Sequence, residues 1–300
     1  RLLRKRRLVY PVVGLLVLVL AFTTFTRAGT WGDKYTVIEF SLRNHPNSSR
    51  THGEFAITNA QHAGDIGLAY KHWARAAELN PSSVLELIEM VRVLAVQILA
   101  FEEQDQNRVQ GAGSASGEYP APADFTGALA PDLHYLRALD GLVAEEISMR
   151  LEMRPVLMSD VAALRSLEQC VRTNLTPCVV LLPRTIDWFK LATANPQLRE
   201  GARAVLRLGL AKIYAYGGQM DKAVESAEAA VRSDPDQVHY LFELAALYLA
   251  LEDLDAAERT IAAAENKMDY SGFRHGVLRD LKHNLDKARE QDERTSSTGG

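Results

Sequence analysis

The chain has 300 residues, of which 47% are hydrophobic and 7% aromatic. That is enough for one large or two modest folded units, and it suits packed helices better than a β-sandwich. The formal net charge is −4, yet residues 1–27 carry +6 and no acid, which leaves −10 for the rest. An acidic body excludes broad nucleic-acid binding, which needs a basic surface to neutralise phosphates.

Five of the first seven residues are basic, and residues 8–26 then run for nineteen positions without a charge. At 1.5 Å per residue this run spans roughly 28 Å, close to the hydrocarbon thickness of a bilayer. It reads as a transmembrane helix within a first segment of residues 1–27, with Pro11 in its first turn, where a missing N–H costs little. Tyr10 and Trp31 fall near the two interfaces. The basic flank places the N-terminus in the cytoplasm and everything after Arg27 outside it. The competing reading is a cleaved signal peptide, whose cleavage site at Thr26-Arg27-Ala28 is poor because Arg lies inside it.

A juxtamembrane segment, residues 28–48, leads to a first repeat-like unit and a long helix over residues 49–104. Ala69, Trp73, Ala76 and Pro81 have the spacing of a second repeat helix and its terminator. Phe55, Ala56 and Asn59 fit the first helix after a one-residue insertion, and Gly64-Asp65 gives the turn. Residues 105–131, rich in Gly, Ala and Pro, read as a flexible loop. Residues 132–200 read as an irregular helical region. From Arg207 the chain repeats without a gap at 34 residues, the tetratricopeptide (TPR) period. Leu210 and Ala211 match Leu244 and Ala245, Tyr214 matches Tyr248, Ala223 matches Ala257, and Ala230 matches Ala264. Two TPR units thus cover residues 201–269. A capping helix over residues 270–292 uses Phe273, Val277, Leu278, Leu281 and Leu285, and residues 293–300 read as a disordered tail. The expected fold is all-α: one N-terminal transmembrane helix, then a TPR-like α-solenoid with an irregular helical middle.

Cys170 and Cys178 are the only cysteines, too few for a structural zinc site. They are either two unpaired thiols or, in an oxidising compartment, a local disulfide across the intervening turn, and the outside topology favours the disulfide. Asn47-Ser48-Ser49 and Asn174-Leu175-Thr176 are glycosylation sequons, relevant only in a eukaryotic secretory compartment. His52, His62 and His72 recur every ten residues, an interval that does not hold them on one helix face, so they read as surface or groove histidines and not as a metal site. No metalloprotease, phosphate-loop or nucleophile-elbow motif occurs, and neither a catalytic residue nor a cofactor or metal is assigned. What remains is binding. The first helix of each unit would line a concave face, which places Leu208, Lys212, Tyr216, His239, Phe242 and Glu243 toward a groove for a protein or peptide partner.

One stretch resembles a known family. The hydrophobic run, Thr26-Arg27, Trp31-Gly32-Asp33 and Leu42-Arg43-Asn44-His45-Pro46 followed by the first repeat resemble the join between the last membrane helix and the TPR region of multi-pass O-mannosyltransferase-like proteins. The likeness covers about residues 8–81 and includes bacterial members of that group. It implies transfer of a sugar from a lipid-linked donor, with the acidic catalytic residues in upstream membrane loops that this sequence does not contain. The expected function is therefore a membrane-anchored extracytoplasmic TPR scaffold, held in the bilayer of a bacterial inner membrane by residues 8–26 with its soluble part in the periplasm. The alternatives are the C-terminal accessory region of a multi-pass glycosyltransferase, presenting acceptor protein, and a periplasmic assembly factor or chaperone.

Overall fold

A computed structural model describes residues 2–111, 132–268 and 272–298, and all regular structure among them is helical. The chain divides into two units, with the boundary after Asn80.

The first unit begins with α1, Leu2–Thr30. Within it Pro11–Gly29 is long and apolar enough to cross a membrane, a property a signal sequence shares, and none of it is buried against protein. The helix starts six residues before the apolar run expected from the sequence, so Pro11 lies in its interior and not in its first turn. Thr23 and Thr26 turn their hydroxyls back onto carbonyls one turn earlier, which pairs those two donors on an apolar surface. α2, Lys34–Asn44, follows within the stretch read as juxtamembrane, because Asp33 caps it by accepting from the Thr36 N–H at 2.9 Å.

α3, Ser49–Thr58, and α4, Ile66–Leu79, form the first repeat pair. Ser48 caps α3 and Asp65 caps α4. Between the two helices, Asn59–Ala63 make a π-helical turn. That turn is the physical form of the one-residue insertion read from the sequence, since a π turn accommodates one extra residue without breaking the helix. Gly64 then takes the left-handed conformation, φ 66°.

The second unit opens with α5, Leu85–Gly111, which runs seven residues past residue 104, where the sequence reading ends the long helix. No breaker precedes Gly111, so residues 105–111 continue the helix, while residues 112–131 of the expected loop lie outside the described residues. The irregular middle contains α6, Leu133–Met153; α7, Met158–Arg172; the short α8, Thr176–Val179; and α9, Leu182–Ala194. It is tied together by buried polar side chains. Asp160, 1% exposed, accepts from the Val84 and Leu157 N–H groups at 2.8 Å each and from the Ser83 hydroxyl at 3.1 Å, so one carboxylate caps the starts of both α5 and α7. Burial pushes its carboxyl up, against the pull of those hydrogen bonds. Arg150 donates to the Ser83 carbonyl at 2.7 Å and pairs with Glu146. Asn195 donates to the Leu151 and Arg154 carbonyls, which closes the end of α6.

The regular repeats follow as α10, Glu200–Tyr216, with α11, Met220–Ser233, and α12, Val238–Ala250, with α13, Leu254–Asn266. Their backbones obey the same period as their side chains. Gly218 and Glu252, 34 residues apart, both adopt left-handed φ, at 72° and 59°, between the helices of their pairs. Gly64 holds the equivalent place in the first unit. Glycine suits this position, and Glu252 accepts the strain because the turn requires it. Ala76, Ala230 and Ala264 are all 0% exposed at equivalent points, where a larger side chain would push the paired helices apart. α14, Gly272–Thr298, caps the array through buried Leu278, Leu281 and Leu285; the Phe273 side chain lies outside those described. The helix runs on through residues 293–298 of the segment read as a disordered tail, because no Gly or Pro interrupts it there. The fold is thus all-α and TPR-like, with an irregular middle and one apolar N-terminal helix.

Candidate protein-binding groove

Residues at i, i+4 and i+8 share one helix face, and α10 presents Leu208, Lys212 and Tyr216 in that relation. Together with the α12 face carrying Glu243 and Leu247, and with Arg172 at the end of α7, they enclose an open groove of about 410 Å³. Its floor is apolar and fixed, for Leu208 packs on Ala204, Ala230 and Tyr240. Its wall is polar. Lys212 Nζ lies 2.6 Å from Glu243 Oε1, with both side chains partly buried, and His239 Nε2 approaches the same oxygen at 3.7 Å. Burial lowers the His239 pKa, and the nearby charges of Lys212, Arg165 and Arg274 add to that against the single opposing pull of Glu243. Tyr216, 38% exposed, stands at the rim and donates from its hydroxyl to Asn174 Oδ1 at 2.8 Å.

Of the six groove residues read from the sequence, Leu208, Lys212, Tyr216 and Glu243 line the groove, and His239 adjoins Glu243. Phe242 does not face it. It is 7% exposed and belongs to the core built by Val238, Leu241 and the leucines of α14. α12 is apolar on nearly every face, so polarity gave no mark of which side a capping helix would cover. Nothing in the repeat pattern marks Arg172 and Asn174 for the groove, because both lie in the irregular middle, where the 34-residue register does not reach. Asn174 adopts φ 56° inside the loop spanned by Cys170 and Cys178, whose Cα atoms lie 5.7 Å apart with their sulfurs in bonding position.

The histidines also differ from the sequence reading. His52 and His72 stack with ring centroids 5.0 Å apart and meet through their Nδ1 atoms at 2.8 Å, while His52 Nε2 pairs with the Pro46 carbonyl at 2.9 Å. The ten-residue interval was judged along one helix, whereas the two residues sit on the paired helices α3 and α4. His52 is buried, not on the surface; the His62 side chain lies outside those described. Among the described residues no three His, Cys, Asp or Glu side chains are grouped to hold a metal. Trp31 is 74% exposed at the end of α1, and the Tyr10 side chain lies outside those described.

Comparison with solved structures finds similarity to the crystal structure of the APC/C hetero-tetramer Cut9–Hcn1, at 16% identity and TM-score 0.35, covering 86% of this chain and 46% of the other. Yeast Tom70 is similar at 16% identity and TM-score 0.29, covering 86% and 58%. The chain thus spans about half the length of these solved chains. No family model matches it, and no curated protein matches it.

Proposed function

We propose that the chain is a membrane-anchored scaffold that holds a protein partner in the groove between α7, α10 and α12, outside the cytoplasm of a bacterial cell. The observation that carries the anchor is α1. Large apolar residues elsewhere are mostly covered, yet Leu15, Leu16, Leu18, Leu20 and Phe22 are each more than half exposed on one continuous helix. A soluble monomer does not leave such a surface in water. Five basic residues stand just before the apolar run, against Arg27, Lys34 and Arg43 just after it, which supports this direction. The groove supplies what a scaffold needs, an apolar floor bounded by partly buried charges on rigid helices. Oxidation of Cys170 and Cys178 belongs to the same reading, since a disulfide there needs an extracytoplasmic compartment. A second reading keeps the groove and makes the chain the accessory region of an O-mannosyltransferase-like protein, presenting its acceptor. It rests on the resemblance over residues 8–81, in which Asp33 and Ser48 here cap α2 and α3.

The anchor is tested by fractionation. Arg near the middle of a membrane helix costs about 3 kcal/mol per residue for insertion. The double variant Leu16→Arg with Leu20→Arg is therefore expected to leave alkali-washed membranes almost completely, while the parent chain stays in the pellet with an N-terminal tag intact. Recovery of the parent chain in the soluble fraction, shortened and without its tag, would establish a signal peptide and reject the anchor.

A further inference from the structure

The charges around the groove contrast with those of the protein that carries them. Outside residues 1–27 the chain is acidic, at −10. Around the groove, four cations gather from three helices: Arg172 of α7 and Lys212 of α10 line it, and Arg165 of α7 and Arg274 of α14 lie near His239 beside it. The α12 residue His239 sits among them, close enough to feel Lys212, Arg165 and Arg274. Three carboxylates answer. Glu168 pairs with Arg172, Glu243 pairs with Lys212, and Asp234 shares the neighbourhood of Tyr240 with Arg165. Among these named groups the cations outnumber the carboxylates by four to three, on a chain whose net charge outside residues 1–27 is negative. A local excess of positive charge draws anionic partners and rejects cationic ones.

Glu243 occupies a particular place in that arrangement. Its Oε1 accepts from Lys212 at 2.6 Å and lies 3.7 Å from His239 Nε2, so one carboxylate oxygen stands beside two groove nitrogens. It stands beside the apolar floor formed by Leu208, Ala211 and Leu247. We infer that the groove takes an acidic peptide, apolar side chains on the floor and carboxylates toward Lys212, Arg165 and Arg274, and that Glu243 is an internal stand-in for one of those carboxylates. The inference rests on the groove being the binding site. Glu243 keeps the cations oriented while the groove is empty, and it competes with the ligand when one arrives.

The consequence is a gain on removing a groove residue. The probe is a fluorescein-labelled octapeptide of alternating Glu and Leu, with Gln–Leu and Lys–Leu counterparts, titrated by anisotropy onto the full chain in a neutral detergent. The Glu peptide is expected to bind about tenfold more tightly than the Gln peptide, and its affinity to fall as salt rises. Glu243→Gln should tighten the Glu peptide about threefold, the scale of one partly exposed ion pair, and leave the Gln peptide unchanged. Lys212→Ala and Arg165→Ala should each weaken the Glu peptide by a similar factor. Melting temperatures close to the parent's show that the variants are folded. Equal binding of Glu and Gln peptides, with both weakened by Tyr216→Ala, would overturn the acidic partner and leave the groove standing. Absence of binding by all three peptides would overturn the groove as well. Binding of the parent chain's groove face to phosphatidylglycerol nanodiscs, lost in Arg165→Ala and competing with the Glu peptide, would overturn a peptide as the natural occupant.

Discussion

Asp160→Ala is expected to destabilise the second unit by about 3 kcal/mol, because it strands the buried Val84 N–H at about 2 kcal/mol and removes the cap of the partly exposed Leu157 N–H at about 1 kcal/mol. The Val84 donor has no solvent to turn to, since Asp160 and Val84 are each 1% exposed, whereas Leu157 is 37% exposed and its N–H recovers part of the loss from water. The effect spreads beyond one helix. The same carboxylate starts α5 and α7, and Arg150 holds the Ser83 carbonyl beside it, so three helices lose a common tie. For a unit of this size the loss corresponds to a fall of roughly 10 °C in Tm. Asp160→Asn keeps one acceptor oxygen and is expected to lose about half as much. Thermal unfolding of the full chain in detergent measures both, and an Ala variant within 1 kcal/mol of the parent would refute the double cap.

Glu86, close by, serves as the control of opposite sign. It is 6% exposed, and its Oε2 has no hydrogen-bond partner among the described residues. Burial first, and the Asp160 charge besides, push its carboxyl up, against hydrogen bonds and Arg150. A carboxyl raised above its unfolded value binds a proton more tightly in the folded state. That contribution is fully present below the unfolded pKa and is lost as pH rises through the folded one. Glu86→Gln, which mimics the protonated form, should therefore match the parent at acid pH. In alkali it should exceed the parent by about 1 kcal/mol.

The second large effect lies between α9 and α10. A Cβ built on Gly209 would come within 2.6 Å of Phe189 Cε1 and 3.2 Å of Cζ. Phe189 is 0% exposed and cannot swing aside. Gly209→Ala gains helix propensity of about 1 kcal/mol but must displace the ring, and Gly209→Leu has no room at all, so a loss of about 3 kcal/mol or more is expected for Leu. Phe189→Ala alone should cost about 4 kcal/mol by leaving a cavity. In the double variant Gly209→Leu with Phe189→Ala the new side chain enters that cavity, so the combined loss should fall short of the sum by 1 kcal/mol or more. Strict additivity would mean that the two residues do not meet.

The residues that were legible are those whose role is set by local period. Ala211, Ala223, Tyr214 and their partners 34 positions on announced two helix pairs, and the extra residue near Asn59 announced its own misfit, which the π turn absorbs. Roles set across the fold left no such mark. Asp160 reaches Val84 over 76 positions, and His52 meets His72 from the opposite helix of a pair. Phe242 and Glu243 are neighbours in sequence, one in the core and one in the groove, and only the position of α14 decides between them. The groove's outer wall left no mark because Arg172 ends a helix, and Asn174 sits in a turn, that follow no repeat. Polar sequence alone does not mark disorder, as the ends of α5 and α14 show, since helix formers continue a helix in which no breaker intervenes.

The central claim is that an anchored chain uses the α7, α10 and α12 groove to hold a protein. Site-directed photo-crosslinking in native membranes tests it, with the photoreactive residue at Ala215 in the groove or at exposed Glu225 on α11. The account predicts one discrete protein adduct in the membrane fraction from position 215, removed by excess of the partner peptide, and none from position 225. Equal adducts from both positions, or an adduct from 225 alone, would contradict it.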